Sequence, residues 1–177
     1  MNTIYLTVPG VTNSSAKHWQ SLWEAKFPDS FRRIQQKEWD TPICDDWIET
    51  IEYEVQKESP ENVVLVAHSL GCTAVAHWAK KFGTKIRGAF LAAPSDCEAE
   101  TYNFDTKRFA PIPFEKLPFN SLVIASENDE YVSIERAQQF ADVWESEFIN
   151  VGAKGHINAV SGFGEWDEGL EILKKLG

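Results

Sequence analysis

Five stretches of the chain are almost wholly apolar, and amphipathic segments separate them. The apolar runs cover residues 4–8, 63–67, 88–93, 122–125 and 148–151. The central ones do not alternate apolar with polar, which is the pattern of parallel strands covered on both faces. Residues 33–36 are a sixth, weaker candidate, polar enough for an edge strand.

The segments between them read as helices. Ser14 or Ser15 is placed to cap the first, with Ala16, Trp19, Trp23 and Phe27 on one face. Thr41-Pro42 opens the second, in which Ile43, Trp47, Ile51 and Val55 step by four. The third follows Ser69 at once and stops at Gly83. Ser133 caps a fourth, and a fifth is predicted over residues 163–176. Strand and helix in strict turn predict a single doubly wound α/β domain over residues 1–177. Residues 96–119 break the rhythm with prolines and aromatics, and read as a long surface excursion with room for one short helix.

Composition narrows the function. The chain has 177 residues, 43% hydrophobic and 25% charged, as expected of one globular core. Its net charge of −10 argues against nucleic acid and anionic membranes as partners. No run approaches the roughly 20 apolar residues of a membrane span, and MNTIYLTVPG lacks the basic n-region of a signal peptide. The three cysteines, Cys44, Cys72 and Cys97, have no CxxC spacing, so neither a disulfide framework nor a zinc site is expected. A reducing cytoplasm is the expected compartment. The seven tryptophans fit a Trp-rich core better than an aromatic-lined pocket.

In open α/β sheets, ligands bind outside the carboxyl ends of the strands. Ser, Asp and His occur at such ends here. The 63–67 run delivers Ala67-His68-Ser69-Leu70-Gly71, a sharp strand-to-helix turn with a small residue two positions either side of Ser69. The common pattern is G-x-S-x-G, and Ala replaces its first glycine. The pentapeptide alone fits both a helix cap and a nucleophile. The buried strand before it and the partners at other strand ends favour the nucleophile. As nucleophile, Ser69 needs an oxyanion site, which the N–H groups of Leu70 and of Val11, after the first strand, are placed to form.

A serine nucleophile needs a base and a group that orients it. His68 points away from Ser69, His77 lies too far along its helix, and His18 belongs to the first helix. His156 follows the last strand between glycine-flanked positions and is the preferred base. Asp129, ending Ser126-Glu127-Asn128-Asp129, is the preferred acid, with Asp96 as the fallback. An Asx turn or helix cap explains most strand-end aspartates equally well.

Taken in order, these residues resemble the α/β-hydrolase superfamily, and more narrowly the small YdeN family that includes the retinoblastoma-binding-protein serine hydrolases. The resemblance rests on Val8-Pro9-Gly10, Ser15, His18-Trp19, Trp23, the elbow at Ser69, Ala93-Pro94, Ser126 to Asp129 with Val132, Gly155 to Asn158, and Ser161 to Gly164 followed by Trp166. It implies a three-layer fold with about six mostly parallel strands in the order 2-1-3-4-5-6, helices on both faces and no separate cap domain. It also implies a Ser69, Asp129, His156 triad, no metal and no cofactor. His18, Trp19 and Trp166 match recurring family positions and are carried as substrate-binding candidates.

Two functions are consistent with this reading. One is a monomeric serine hydrolase acting on small carboxylic esters or amides, its pocket walled by Tyr102, Phe104, Phe109 or Tyr131. The other is a protein-binding module on a hydrolase scaffold whose triad is idle.

Overall fold

The computed structural model describes residues 3–177. Six parallel strands form one sheet in the order β2-β1-β3-β4-β5-β6. They are β1 (Ile4–Val8), β2 (Phe31–Arg33), β3 (Val63–His68), β4 (Gly88–Ala92), β5 (Ser121–Ala125) and β6 (Glu147–Asn150). The helices are α1 (Trp19–Lys26), α2 (Cys44–Gln56), α3 (Leu70–Phe82), α4 (Ile134–Trp144) and α5 (Asp167–Leu173). The strand order expected from the resemblance is the one observed.

Each face of the sheet has its own core. Val63, Leu65, Ala67, Ala89, Leu91, Val123 and Ala125 face α2, α3 and α4. Val64, Val66, Phe90, Ala92, Leu122 and Ile124 face Trp19 and Trp23 of α1 and the chain around α5. Consecutive residues of β3 thus enter opposite cores, which is why its residues 63–67 carry no polar position. Ser133 accepts from the Arg136 N–H and caps α4 as expected. Gly83 ends α3 in a left-handed turn (φ 62°).

Several boundaries differ from expectation because tertiary bonds took the relevant groups. Neither Ser14 nor Ser15 caps α1. The Ser14 hydroxyl bonds Gln20 Oε1 at 2.6 Å, and His18 is the cap, its Nδ1 accepting from the Gln20 N–H. Helix α2 begins at Cys44 rather than at Thr41-Pro42, since Pro42 and Cys44 exchange backbone bonds with Lys107. Strand β2 pairs at Phe31 to Arg33, two residues before the expected edge strand, with the Phe31 ring stacked on Tyr5 at 4.5 Å. The fifth helix starts only at Asp167, because Trp166 is left-handed (φ 43°) and folds over Gly169, where a Cβ would lie 2.4 Å from the indole.

The 96–119 excursion contains no helix, and it is not wholly superficial. Phe109, Ile112 and Leu117 enter the core under α2, α3 and α4. The Phe109 carbonyl accepts from His77 Nε2 at 2.9 Å, and its ring meets Trp47 edge-on at 5.6 Å.

Candidate active site

The carboxyl edge of the sheet gathers Ser69, Asp129 and His156. Ser69 stands between β3 and α3 at φ 57° and ψ −128°, a conformation costly for a residue with a Cβ. Its side chain makes no capping bond to the helix. Two glycines make room for this turn. A Cβ on Gly71 would lie 2.2 Å from the Val8 carbonyl oxygen, and one on Gly10 would lie 2.7 Å from Ser69 Cβ. The glycine that the elbow retains is therefore the one without room for a methyl, while Ala67 fits fully buried in the core.

Ser69 Oγ is 2.9 Å from His156 Nε2, and His156 Nδ1 is 2.8 and 2.9 Å from the two Asp129 oxygens. A nitrogen facing two carboxylate oxygens carries the proton, so Nε2 is left to accept from the Ser69 hydroxyl. The His156 and Asp129 side chains are almost fully buried. Asp96, the fallback acid, is turned elsewhere, its Oδ2 accepting from Arg136 Nε at 3.2 Å.

Polar pins hold His156. Asp129 arrives in the turn after β5, where its Oδ1 also accepts from the Tyr131 N–H. In the same turn, Ser126 Oγ accepts from the Lys154 N–H at 2.8 Å and Asn128 Oδ1 from the Gly155 N–H at 2.7 Å. The whole Ser126 to Asp129 run thus grips the loop that carries His156. His68 donates from Nε2 to the His156 carbonyl at 2.9 Å, and Trp19 Nε1 donates to the Ile157 carbonyl at 2.9 Å. Sequence reasoning set His68 aside as a base without finding this second use. The polar residues clustered after β5 were the available signal for the Ser126 and Asn128 bonds.

Val11 lines the cavity beside Ser69, and Leu70 starts α3. Among the described residues, neither N–H donates to another protein group. Arg33, largely buried, braces the loop after β1 by bonding Asn13 Oδ1 and the Ser14 carbonyl, each at 3.0 Å, and Glu24 Oε2 at 2.8 Å.

The cavity above Ser69 measures about 460 Å³. Thr12 to Ser15 and Asn158 make it polar on one side, and Phe104, Tyr131 and Val160 line it elsewhere. Among the described residues, no Asp, Glu, Lys or Arg side chain lines it. Tyr102 and Phe109 do not reach it. Of the three substrate-binding candidates, only His18 lines the cavity. Trp19 and Trp166 are buried behind it, ring against ring at 5.1 Å in the core under α1 and α5, because their indoles fill the space between the sheet and these two elements. His18 packs on His68 (4.7 Å between centroids) and His68 on His156 (4.8 Å). Burial pushes His18 down to about 3, with Arg33 and His156 adding to the effect, and holds His68 well below its usual value. Both rings are therefore neutral near pH 7.

A six-stranded sheet in this order, with a half-buried strand-to-helix serine at its carboxyl edge, defines an α/β-hydrolase. The chain belongs to the serine hydrolase family, whose model matches residues 5–175. A YdeN-like hydrolase from Pectobacterium atrosepticum is 36% identical, with a TM-score of 0.87 over 99% of this chain and 90% of that one. The ydeN gene product of B. subtilis superposes with a TM-score of 0.84 at 22% identity, over 99% of this chain and 98% of that one. BorB, a type II thioesterase from the borrelidin biosynthetic cluster, shares the fold at a TM-score of 0.67 and 14% identity, over 99% of this chain and 93% of that one. Comparison with curated proteins finds no match. The protein is thus a hydrolase of YdeN-like kind. No helix among the described residues is long and apolar enough to cross a membrane.

Proposed function

We propose that this hydrolase cleaves small carboxylic esters through an acyl-enzyme on Ser69. The observation that carries the reading is the bonded chain from Asp129 through His156 to Ser69. His156 Nε2 takes the Ser69 proton as Oγ attacks the carbonyl carbon, and Asp129 stabilises the resulting imidazolium. The Leu70 and Val11 N–H groups, free of protein acceptors, receive the oxyanion. His156 then protonates the departing alcohol, and water releases the acyl group by the same steps in reverse.

The uncharged, half-apolar cavity supports a small neutral acyl group. The absence of charged lining residues argues against substrates that present a carboxylate or ammonium at the reacting end. Neither a metal nor a cofactor has a part in this mechanism. Three free cysteines suit a reducing cytoplasm, and we take a monomer there to be the working form.

A fluorophosphonate probe tests the reading directly. Wild type is expected to be labelled covalently and Ser69→Ala not at all. Folded wild type that resists the probe would overturn the assignment in favour of a binding module.

A further inference from the structure

Ser95 is a buried hydroxyl that neither the elbow pattern nor the Ser69, Asp129, His156 set includes. It follows β4 and is 1% exposed, and its Oγ lies 2.8 Å from Ser69 Oγ. The Thr73 hydroxyl bonds the Ser95 carbonyl at 3.3 Å, tying this turn to α3. Ser95 does not line the cavity, so it approaches the Ser69 oxygen from the protein side.

The protons in this cluster can be counted. His156 Nδ1 carries its proton and donates it in hydrogen bonds to Asp129, so Nε2 can only accept. The single Ser69 hydrogen fills that acceptor. The bond between the two serines then needs its hydrogen from Ser95. We infer that Ser95 is a fourth member of the catalytic machinery, a fixed hydroxyl donor to the nucleophilic oxygen. The inference rests on the esterase reading above.

The chemistry follows from the direction of the bond. During attack the Ser69 O–H bond breaks, its proton passes to His156 Nε2, and an Oγ–carbon bond forms while the carbonyl electron pair moves to the oxyanion. Negative charge gathers transiently on Ser69 Oγ, and a donor already aimed at it stabilises that charge without reorganisation. Ser95 keeps its own proton throughout. The same charge reappears on Oγ when the acyl-enzyme breaks down, so both half-reactions gain. In the resting enzyme the bond also fixes the Ser69 rotamer toward His156.

The test compares second-order labelling rates by the fluorophosphonate probe, together with kcat and KM on p-nitrophenyl acetate and the Tm. Ser95→Ala is expected to lower the labelling rate and kcat by about 10- to 100-fold, the worth of one hydrogen bond to a developing charge. KM should stay within about twofold. Ser95→Thr, which keeps the donor, should recover most of the labelling rate. Ser95→Cys fills the space with a weak donor and should fall as Ser95→Ala does, which serves if the alanine variant does not fold. If wild type is labelled and folded Ser95→Ala and Ser95→Cys label equally fast, the inference fails and the esterase reading stands. If wild type itself is not labelled, the esterase reading fails first.

Discussion

Ser69 and His156 meet at 2.9 Å, yet the two arms that bring them together are built differently. The serine arm is held by backbone fit. Its positive-φ turn has Gly10 on one side and the Val8 and Pro9 carbonyls against Gly71 on the other, with no space for a methyl at either glycine. The histidine arm is held by side-chain bonds from three different places: Asp129 and Asn128 after β5, His68 at the end of β3, and Trp19 on α1. Backbone fit fails abruptly when it is crowded. A set of polar pins weakens one member at a time.

The sharpest way to break the contrast is at the one pin to which the proposed mechanism gives a chemical role. Asp129→Asn keeps the shape but is expected to lower kcat/KM on p-nitrophenyl acetate by about 1,000- to 10,000-fold, because the amide no longer favours the Nδ1–H tautomer or the imidazolium. Asp96→Asn should change kcat/KM less than about threefold, since its carboxylate serves Arg136. The reverse pattern would make Asp96 the acid.

Crowding the serine arm comes next. In Gly71→Ala the new methyl meets the Val8 and Pro9 carbonyl oxygens, both backbone atoms that cannot rotate away. A loss of about 2–3 kcal/mol in urea unfolding is expected, with esterase activity falling alongside. Wild-type stability in this variant would mean that the turn is looser than its geometry indicates.

The two arms also differ in what the sequence discloses. The serine arm is contiguous, so a buried β3, small residues at Ala67 and Gly71 and a helix that begins at once were enough to place Ser69. The rule about strand ends pointed to Asp129 and His156, whose side chains the fold brings together. Their supports were less legible: the polar cluster after β5 was a signal for the Asn128 to Gly155 bond, but His68 to His156 and Trp19 to Ile157 are partnerships between distant segments with no local pattern. Trp19 and Trp166 were carried as substrate contacts because they match recurring family positions, and nothing in sequence separates a tryptophan that lines a cavity from one that backs it. Helix starts at α1 and α2 were misplaced for a related reason, as Gln20 and Lys107 took the groups that local capping rules assign. Strand order came from the resemblance rather than from any single segment.

Acid should loosen the histidine arm. His18 and His68 are neutral when folded, with values pushed below 6.5 by burial, and His77 is lowered in the same way. Unfolded, each takes up a proton below pH 6.5. Their contribution to stability is therefore complete above pH 6.5 and is lost as pH falls toward the folded value, about 3 for His18. Each neutral ring makes the protein less stable by up to about 1.4 kcal/mol per pH unit over that window. Urea unfolding at pH 7 and pH 5 measures it. His68→Gln, which cannot be protonated, should flatten the slope, and an unchanged slope would remove His68 from the account.

The smallest effect expected separates backing from lining. Trp19→Phe keeps an aromatic ring between α1 and the sheet but deletes the N–H that holds the Ile157 carbonyl, one residue past His156. The carbonyl is then left buried without its donor and a small void opens, for a cost of about 1–2 kcal/mol in unfolding free energy. If Trp19 only backs the site, KM for p-nitrophenyl acetate stays within about twofold, and kcat falls a few-fold at most as His156 gains freedom. A rise in KM with kcat unchanged would put the indole in contact with substrate, which its complete burial behind His18 and His68 opposes. The same variant reports on the arms themselves, since a pinned histidine should tolerate the loss of one pin, whereas crowding at Gly71 leaves the serine arm no such margin.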